Sequence, residues 1–369
     1  MATTKIGAGL VDLNSDNTSF KMPVGSSSFT GTPVAGMIRN NSSLTSGGSA
    51  TAFEYYDGTQ WVGMKNVLPP LEVDYVVIAG GAGTGGGSGG GGAGGLRTSY
   101  PNTSSLNGHN EATLSLTTST NYTVTIGAGG ILGAYSGSIP TNGNNTTFDT
   151  ITSTGGGTGG YVRGFGTTYN PGVDGGSGGG GSMSSGRFNG NAVTSPVTQG
   201  YNGGFGDSNA PIGFGGGGGA NEAGSIASSG GAIGGLGGDG LVLSILNATN
   251  AATASVGEVS GSDVYYAGGG GGAGQNSSGG GGAGGLGGGG NGNFSSSDPG
   301  VANTGGGAGG VRDITTGSNG GSGVILLRYP SAYTIAIGAG ITEASNSPFT
   351  EGSSKISVLT AGTGTISFS

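Results

Sequence analysis

Short runs of alternating apolar and polar residues give way, again and again, to long glycine tracts. Gly36–Asn40 and Ala52–Tyr56 read as two strands. Asp57-Gly58 follows the second and leads into Gln60–Gly63, a strong hairpin signal because both turn residues tolerate positive φ. Pro69-Pro70 closes this first segment as a stiff, extended linker. Val73–Ala79 then reads as a strand and runs straight into Gly80–Gly95, where 12 of 16 residues are glycine. Leu114–Leu116 and Tyr122–Ile126 alternate in the same way, the latter running into Gly127–Gly130. Further tracts fall near 155–160, 175–181, 213–219, 230–240, 268–274, 279–290 and 305–310. Leu241–Leu246 is a short apolar run that periodicity alone does not divide between strand and helix. Gly323–Pro330 is a strand stopped by proline, and residues 331–369 return to short alternating Thr/Ser/Ile stretches.

Composition changes this picture in one respect. Glycine makes up 96 of 369 residues, so a large core packed from Leu and Val is not expected, nor is a helical protein. Only 8% of residues are charged and the net charge is −8, too little self-repulsion to hold the chain open. A folded alternative exists for the tracts. Glycine fits a left-handed extended helix of three residues per turn, and only glycine fits where such helices meet closely. Side by side, these helices satisfy their N–H and C=O groups on neighbouring chains, helped by Cα–H···O contacts. The tracts are bracketed by strand-like runs, which favours this bundle over a flexible linker. The expected fold is therefore mainly β, in three parts. Residues 1–70 form a short β-hairpin module, 71–330 a glycine-rich domain of polyglycine-II-type helices and short strands, and 331–369 a C-terminal β segment.

The remaining composition excludes function classes. Ten Lys+Arg against eighteen Asp+Glu leave no electrostatic footprint for nucleic acid, and repeated Arg-Gly-Gly is missing. There is no cysteine, hence no disulfide frame and no thiolate metal site. No secretory signal is read at Met1–Asn17, and no apolar run approaches membrane-spanning length, so no membrane insertion is expected. Gly81-Ala82-Gly83-Thr84-Gly85-Gly86 has dinucleotide spacing after a strand, yet more glycine follows where a helix should start. Gly234–Val242 matches a single calcium-binding nonapeptide without the tandem copies that would share the ion. His109, the one histidine, lies in the polar loop Tyr100–Glu111 and is expected to be exposed. The acids are scattered, and neither a cofactor nor an enzymatic activity is expected.

Two features carry a resemblance. Gly31–Asn40 followed by Phe53–Trp61 resembles a short module of phage fibre and virion structural proteins. Tyr75–Gly81, Tyr122–Gly130, Asn142–Phe148 and Gly320–Pro330, in this order, resemble the glycine-rich domain of phage fibres, similar in composition to the distal adhesins of T-even-like long tail fibres. The resemblance implies a sandwich of polyglycine-type helices whose loops meet a host receptor, a glycan or an outer-membrane protein. It also implies other tail or capsid proteins as partners, a homotrimer, and a place in the virion after assembly in the host cytoplasm. A purely structural spacer, or an extracellular glycine-rich structural or ice-binding protein, are the alternatives. Tyr, Ser, Gly and Asn suit binding loops. Tyr100–Glu111, Tyr161–Asp174 and Met183–Asn202 have that composition, which makes Tyr100, His109, Arg163, Tyr169, Arg187, Phe188 and Tyr201 the receptor-contact candidates. The folded-bundle reading predicts that residues 71–330 resist limited proteolysis under native conditions; rapid cutting throughout that span would mark them as linker.

Overall fold

In a tract built of three-residue turns, successive N–H groups point in three directions, so every third residue should meet the same neighbour. The computed structural model has this pattern. It describes residues 24–25, 32–41, 52–63, 68–100, 108–134, 138–163, 168–182, 188–207, 213–228, 233–275, 280–312 and 317–369. Gly89, Gly92 and Gly95 donate to Gly160, Gly157 and Thr154 at 2.8–2.9 Å. Gly91 and Gly94 donate to Ala308 and Gly305, while Gly90 and Ala93 donate to Gly215 and Gly218. The N–H groups of one helix thus reach three others, while its carbonyls accept from further neighbours, among them Gly180 and Gly270. The descending pairs run antiparallel and the ascending pair parallel, so helices of both directions share the bundle.

At the closest approaches this spacing leaves no room for a side chain, although small ones such as Ala82, Ser88, Ala93 and Ser177 are buried at other positions of the tracts. A Cβ on Gly90 would sit 1.9 Å from the carbonyl oxygen of Gly270, and one on Gly143 would sit 1.8 Å from that of Gly80. The glycine content is a steric requirement of the bundle.

The chain divides into two compact units, Met1–Leu68 and Pro69–Ser369. In the first, Val24–Gly25 pairs in parallel with Ile38–Asn41, which pairs antiparallel with Ala52–Tyr56, and this with Trp61–Gly63. The turn follows Tyr56 as expected, but by a different device. Gly58 alone takes positive φ (108°), while the Asp57 carboxylate accepts from the backbone N–H of Thr59 and Gln60 at 2.7 and 2.8 Å. The Thr59 hydroxyl is a third donor, and these bonds, the hydroxyl's first, hold the Asp57 carboxyl below its ordinary pKa.

In the second unit the bundle grows out of a sheet. Its strands run in the order Ile151–Ser153, Thr146–Phe148, Tyr122–Thr125, Ser354–Phe368, Val324–Pro330, Glu72–Ile78, Leu96–Thr98. Extended helix and strand rise by similar amounts per residue, about 3.1 and 3.3 Å, so one continues into the other without breaking register. Glu72–Ile78 passes directly into the tract beginning at Ala79, and the tract ending at Gly323 passes into Val324–Pro330.

The central strands are buried on both faces. Val76, Ile78, Val324, Leu326, Ile356 and Val358 point to one side, where they meet Leu241, Leu243, Ile245 and Leu246. Tyr75, Val77, Ile325, Leu327 and Leu359 point to the other, where Tyr122, Val124, Phe148, Ile366 and Phe368 close around them. Residues 331–369 belong to this same unit. Three short strands, Ile335–Ile337, Ile341–Glu343 and Phe349–Glu351, form as expected, and each pairs with one strand of 15 residues, Ser354–Phe368, which the sequence did not suggest. Its first half pairs with Val324–Pro330 and its second half with Tyr122–Thr125, so a single bent strand joins both halves of the sheet.

The run Leu241–Leu246 resolves as a two-residue strand, Leu241–Val242, followed by apolar residues packed into the first core. A helix not foreseen in the sequence, Ala248–Ala254, comes next, its N-terminus capped by the Asn247 side chain accepting from Asn250 N. It is the one α-helix among the described residues.

The steric argument yields a paired test. Gly90→Ala is expected to lose more than about 4 kcal/mol of stability or to prevent folding. Gly85→Ala meets nothing closer than 3.4 Å and is expected to stay within about 0.5 kcal/mol of the wild type. Thermal unfolding followed by circular dichroism reads both.

Candidate functional site

The helices have two kinds of end. One end joins the sheet; at the other, the chain turns back into the next helix. Glu72–Ile78 leads outward through Gly80 and Gly83, and the chain returns through Gly89 and Gly94 to Leu96–Thr98, which places Gly85–Gly87 at the end away from the sheet. Pairing relays this polarity through the bundle. Gly160 lies beside Gly89 and Gly180, Gly181 beside Gly204, and Gly213 beside Asp207, all toward the same far end. A small apolar plug sits there: Phe214 and Val162 are buried against Ala273, with the Arg312 guanidinium 6.0 Å from the Phe214 ring centroid.

Three of the seven sequence candidates come together at this end. Val162–Arg163 pairs antiparallel with Thr168–Tyr169, which sets Arg163 opposite Thr168 and Tyr169 opposite Val162. Phe188 lies on the adjacent segment, its carbonyl accepting from Gly172 N at 3.0 Å. Tyr169 is 44% and Phe188 57% exposed. Three exposed apolar residues missed in the sequence extend the row. Phe205 accepts from Ala227 N, next to Ile226, and Ile233 accepts from Ser228 N. Each is a lone bulky residue near glycine tracts, but so is Phe214, which the bundle buries, so sequence alone did not single them out. Ile131, Ile139, Val173, Leu236, Val259 and Val301 are exposed as well, as apolar residues are on any surface.

The other candidates separate from this group. Arg187 lies outside the described residues. Tyr100 is on the sheet side, packed against the first core with Arg328 over its ring, 5.3 Å from the centroid, and bonded to its hydroxyl at 3.2 Å. Tyr201 is half-buried in a cleft near the sheet-side turns.

His109 is the clear correction. Expected to be exposed in a polar loop, it is fully buried. Nδ1 lies 3.1 Å from the Leu96 carbonyl and Nε2 2.7 Å from that of Ala220. A neutral imidazole has one N–H, so one contact is a hydrogen bond and the other becomes one only on protonation. The ring ties the strand Leu96–Thr98 to the turn at Ala220, and neither nitrogen is open to a ligand. Next to it, Arg97 and Glu111 form a bidentate pair, Nε to Oε1 at 2.9 Å and Nη2 to Oε2. Loop composition did not reveal this burial because the partners are backbone carbonyls more than ten residues distant.

Among the described residues, no group of three or more His, Asp or Glu is placed to hold a metal ion. No helix among them is long and apolar enough to cross a membrane. The far end offers aromatic and aliphatic side chains beside polar backbone.

A family model described as a glycine-rich domain matches residues 63–330. The chain belongs to this glycine-rich domain family. No curated protein and no solved structure matches it. The glycine-rich domain so bounded ends with the strand Val324–Pro330, and Ser354–Phe368, which completes its sheet, lies beyond the match.

His109 generates a pH prediction. Burial lowers its pKa below the ordinary 6.5, against the opposing pull of the two carbonyls and Glu111. The unfolded chain therefore takes up this proton at higher pH than the folded one. The stability contribution is complete above about 6.5 and is lost as pH falls through the folded-state pKa. With a single histidine in the chain, Tm is expected to drop between pH 7.5 and 5.5. His109→Gln should flatten that profile whatever it does to Tm at pH 7.5; an unchanged slope would reject the assignment.

Proposed function

We propose that this protein is a non-enzymatic phage virion component, a tail or head fibre that binds the host surface through the segments joining its glycine helices. The observation that carries the reading is the row of exposed Tyr169, Phe188, Phe205, Ile226 and Ile233 at the far end of the bundle. Glycine helices hold one another through the backbone, so side chains at their ends are released from packing duty and are free to serve recognition. The fibre assignment itself rests on the phage-fibre resemblance of residues 31–61 and of the four blocks between Tyr75 and Pro330.

The partners are a host receptor, glycan or outer-membrane protein, and neighbouring tail or capsid proteins. Contacts through these side chains are mainly apolar and hydrogen-bonded, and their strength should change little with salt. The chain works as a homo-oligomer, a trimer joined through residues 1–70, and reaches the virion from the host cytoplasm.

Two measurements test this. Tyr169→Ala combined with Phe188→Ala is expected to reduce adsorption of purified protein to host cells at least about tenfold while Tm stays unchanged, since both rings are exposed. Adsorption unaffected by these changes, and by Phe205→Ala with Ile226→Ser, would turn the reading to a structural spacer. Light scattering at micromolar concentration should give three times the monomer mass; a monomer would reject the trimer.

A further inference from the structure

A cleft of about 240 Å³ opens near the sheet-side turns, lined by Thr194, Thr198, Gly200, Tyr201, Asn202 and Ala223. It is distinct from the far-end row, because Tyr201 N bonds to Gly219 O and Gly178 N to Tyr201 O, on the sheet side of those helices. Its size falls below the roughly 300 Å³ at which pockets for drug-sized ligands begin, so it admits one small ring. The cleft contains no charged side chain. Instead it carries one half-buried aromatic ring and several neutral polar groups.

Thr194 and Asn202 are exposed and Thr198 and Tyr201 half-buried, so the cleft's polar groups can be reached from solvent. Asn202 is oriented by a bond from ten residues earlier in the chain: Oδ1 accepts from Ala192 N at 2.8 Å, and its amide N–H groups have no acceptor among the described residues. An aromatic face beside uncharged donors and acceptors is what a pyranose needs, since its C–H face stacks on the ring and its hydroxyls exchange neutral hydrogen bonds. An anionic sugar would find no cation here.

We propose that this cleft binds a single neutral pyranose unit of a surface glycan, stacked on Tyr201 and hydrogen-bonded by Thr194, Thr198 and Asn202. The source of the glycan, a host cell surface, rests on the fibre reading above. Binding of the sugar itself does not.

The test uses the full chain and four methyl glycosides, of glucose, galactose, mannose and N-acetylglucosamine, with methyl glucuronide as the anionic comparison. Saturation-transfer NMR and titration are expected to detect at least one neutral glycoside with millimolar affinity, typical of one small site, and to favour it over the glucuronide. Tyr201→Ala should weaken that binding at least about tenfold. Ala223→Leu fills the cleft from an exposed position and should abolish it, so the test survives if Tyr201→Ala fails to fold. Val301→Ala, remote and exposed, should leave it unchanged. No transfer to any of the four, binding of wild-type strength in Ala223→Leu, or equal binding of the glucuronide would overturn the proposal. Adsorption to host cells separates the two readings. Adsorption without glycoside binding rejects the cleft alone; glycoside binding without adsorption rejects the fibre reading alone.

Discussion

The hydrogen bond from every third backbone N–H to the same neighbouring helix is the interaction on which the rest of this protein depends. It sets the spacing that brings the Gly270 oxygen to 1.9 Å from where a Gly90 Cβ would stand, and so dictates the composition. It also tolerates neighbours of either direction, since an extended three-residue helix offers donors and acceptors all round. Residues 305–311 and 213–219 therefore flank one helix while running in opposite senses.

Hydrogen bonds alone make such a bundle marginal. Each contributes about 1 kcal/mol net, while glycine loses more conformational freedom on folding than any other residue. The sheet supplies what the helices lack. Its central strands bury branched and aromatic side chains on both faces, and they anchor the first and last helices of the bundle in register. Ser354–Phe368 is the bent strand that holds the two halves of this sheet together, so the residues beyond the glycine-rich domain complete its apolar core. His109 lies buried between Leu96 at the sheet and Ala220 at a helix turn, one ring nitrogen facing each carbonyl.

This division of labour bears on function. The bundle's interior holds little besides glycine and small side chains such as Ala82, Ser88, Ala93 and Ser177, so bulky side chains gather mainly at the ends of its helices. At the far end these are exposed rings and aliphatic chains; near the sheet, a neutral cleft forms around Tyr201. Both are proposed as surfaces for holding a partner.

The strands and the glycine helices were legible in the sequence because each is a local pattern. Val73–Ala79, Tyr122–Ile126 and Gly323–Pro330 alternate or run apolar, and glycine tracts announce a structure in which side chains have no room. Asp57-Gly58 likewise marked its turn, although the carboxylate's bonds to Thr59 and Gln60 formed it, with positive φ at Gly58 alone. What only the tertiary structure decided is everything that depends on which tract lies beside which. Glycine tracts are nearly interchangeable as sequence, so nothing local says that Gly90 meets Gly215 or that Phe188 lies against Gly172. Hence His109, expected exposed in a polar loop, proved buried, and Tyr100, a receptor-contact candidate by the composition of its loop, packs against the first core with Arg328 over its ring. The single long strand Ser354–Phe368 escaped notice for the same reason: its Thr- and Gly-containing second half becomes a strand through pairing with Tyr122–Thr125, more than 200 residues earlier in the chain.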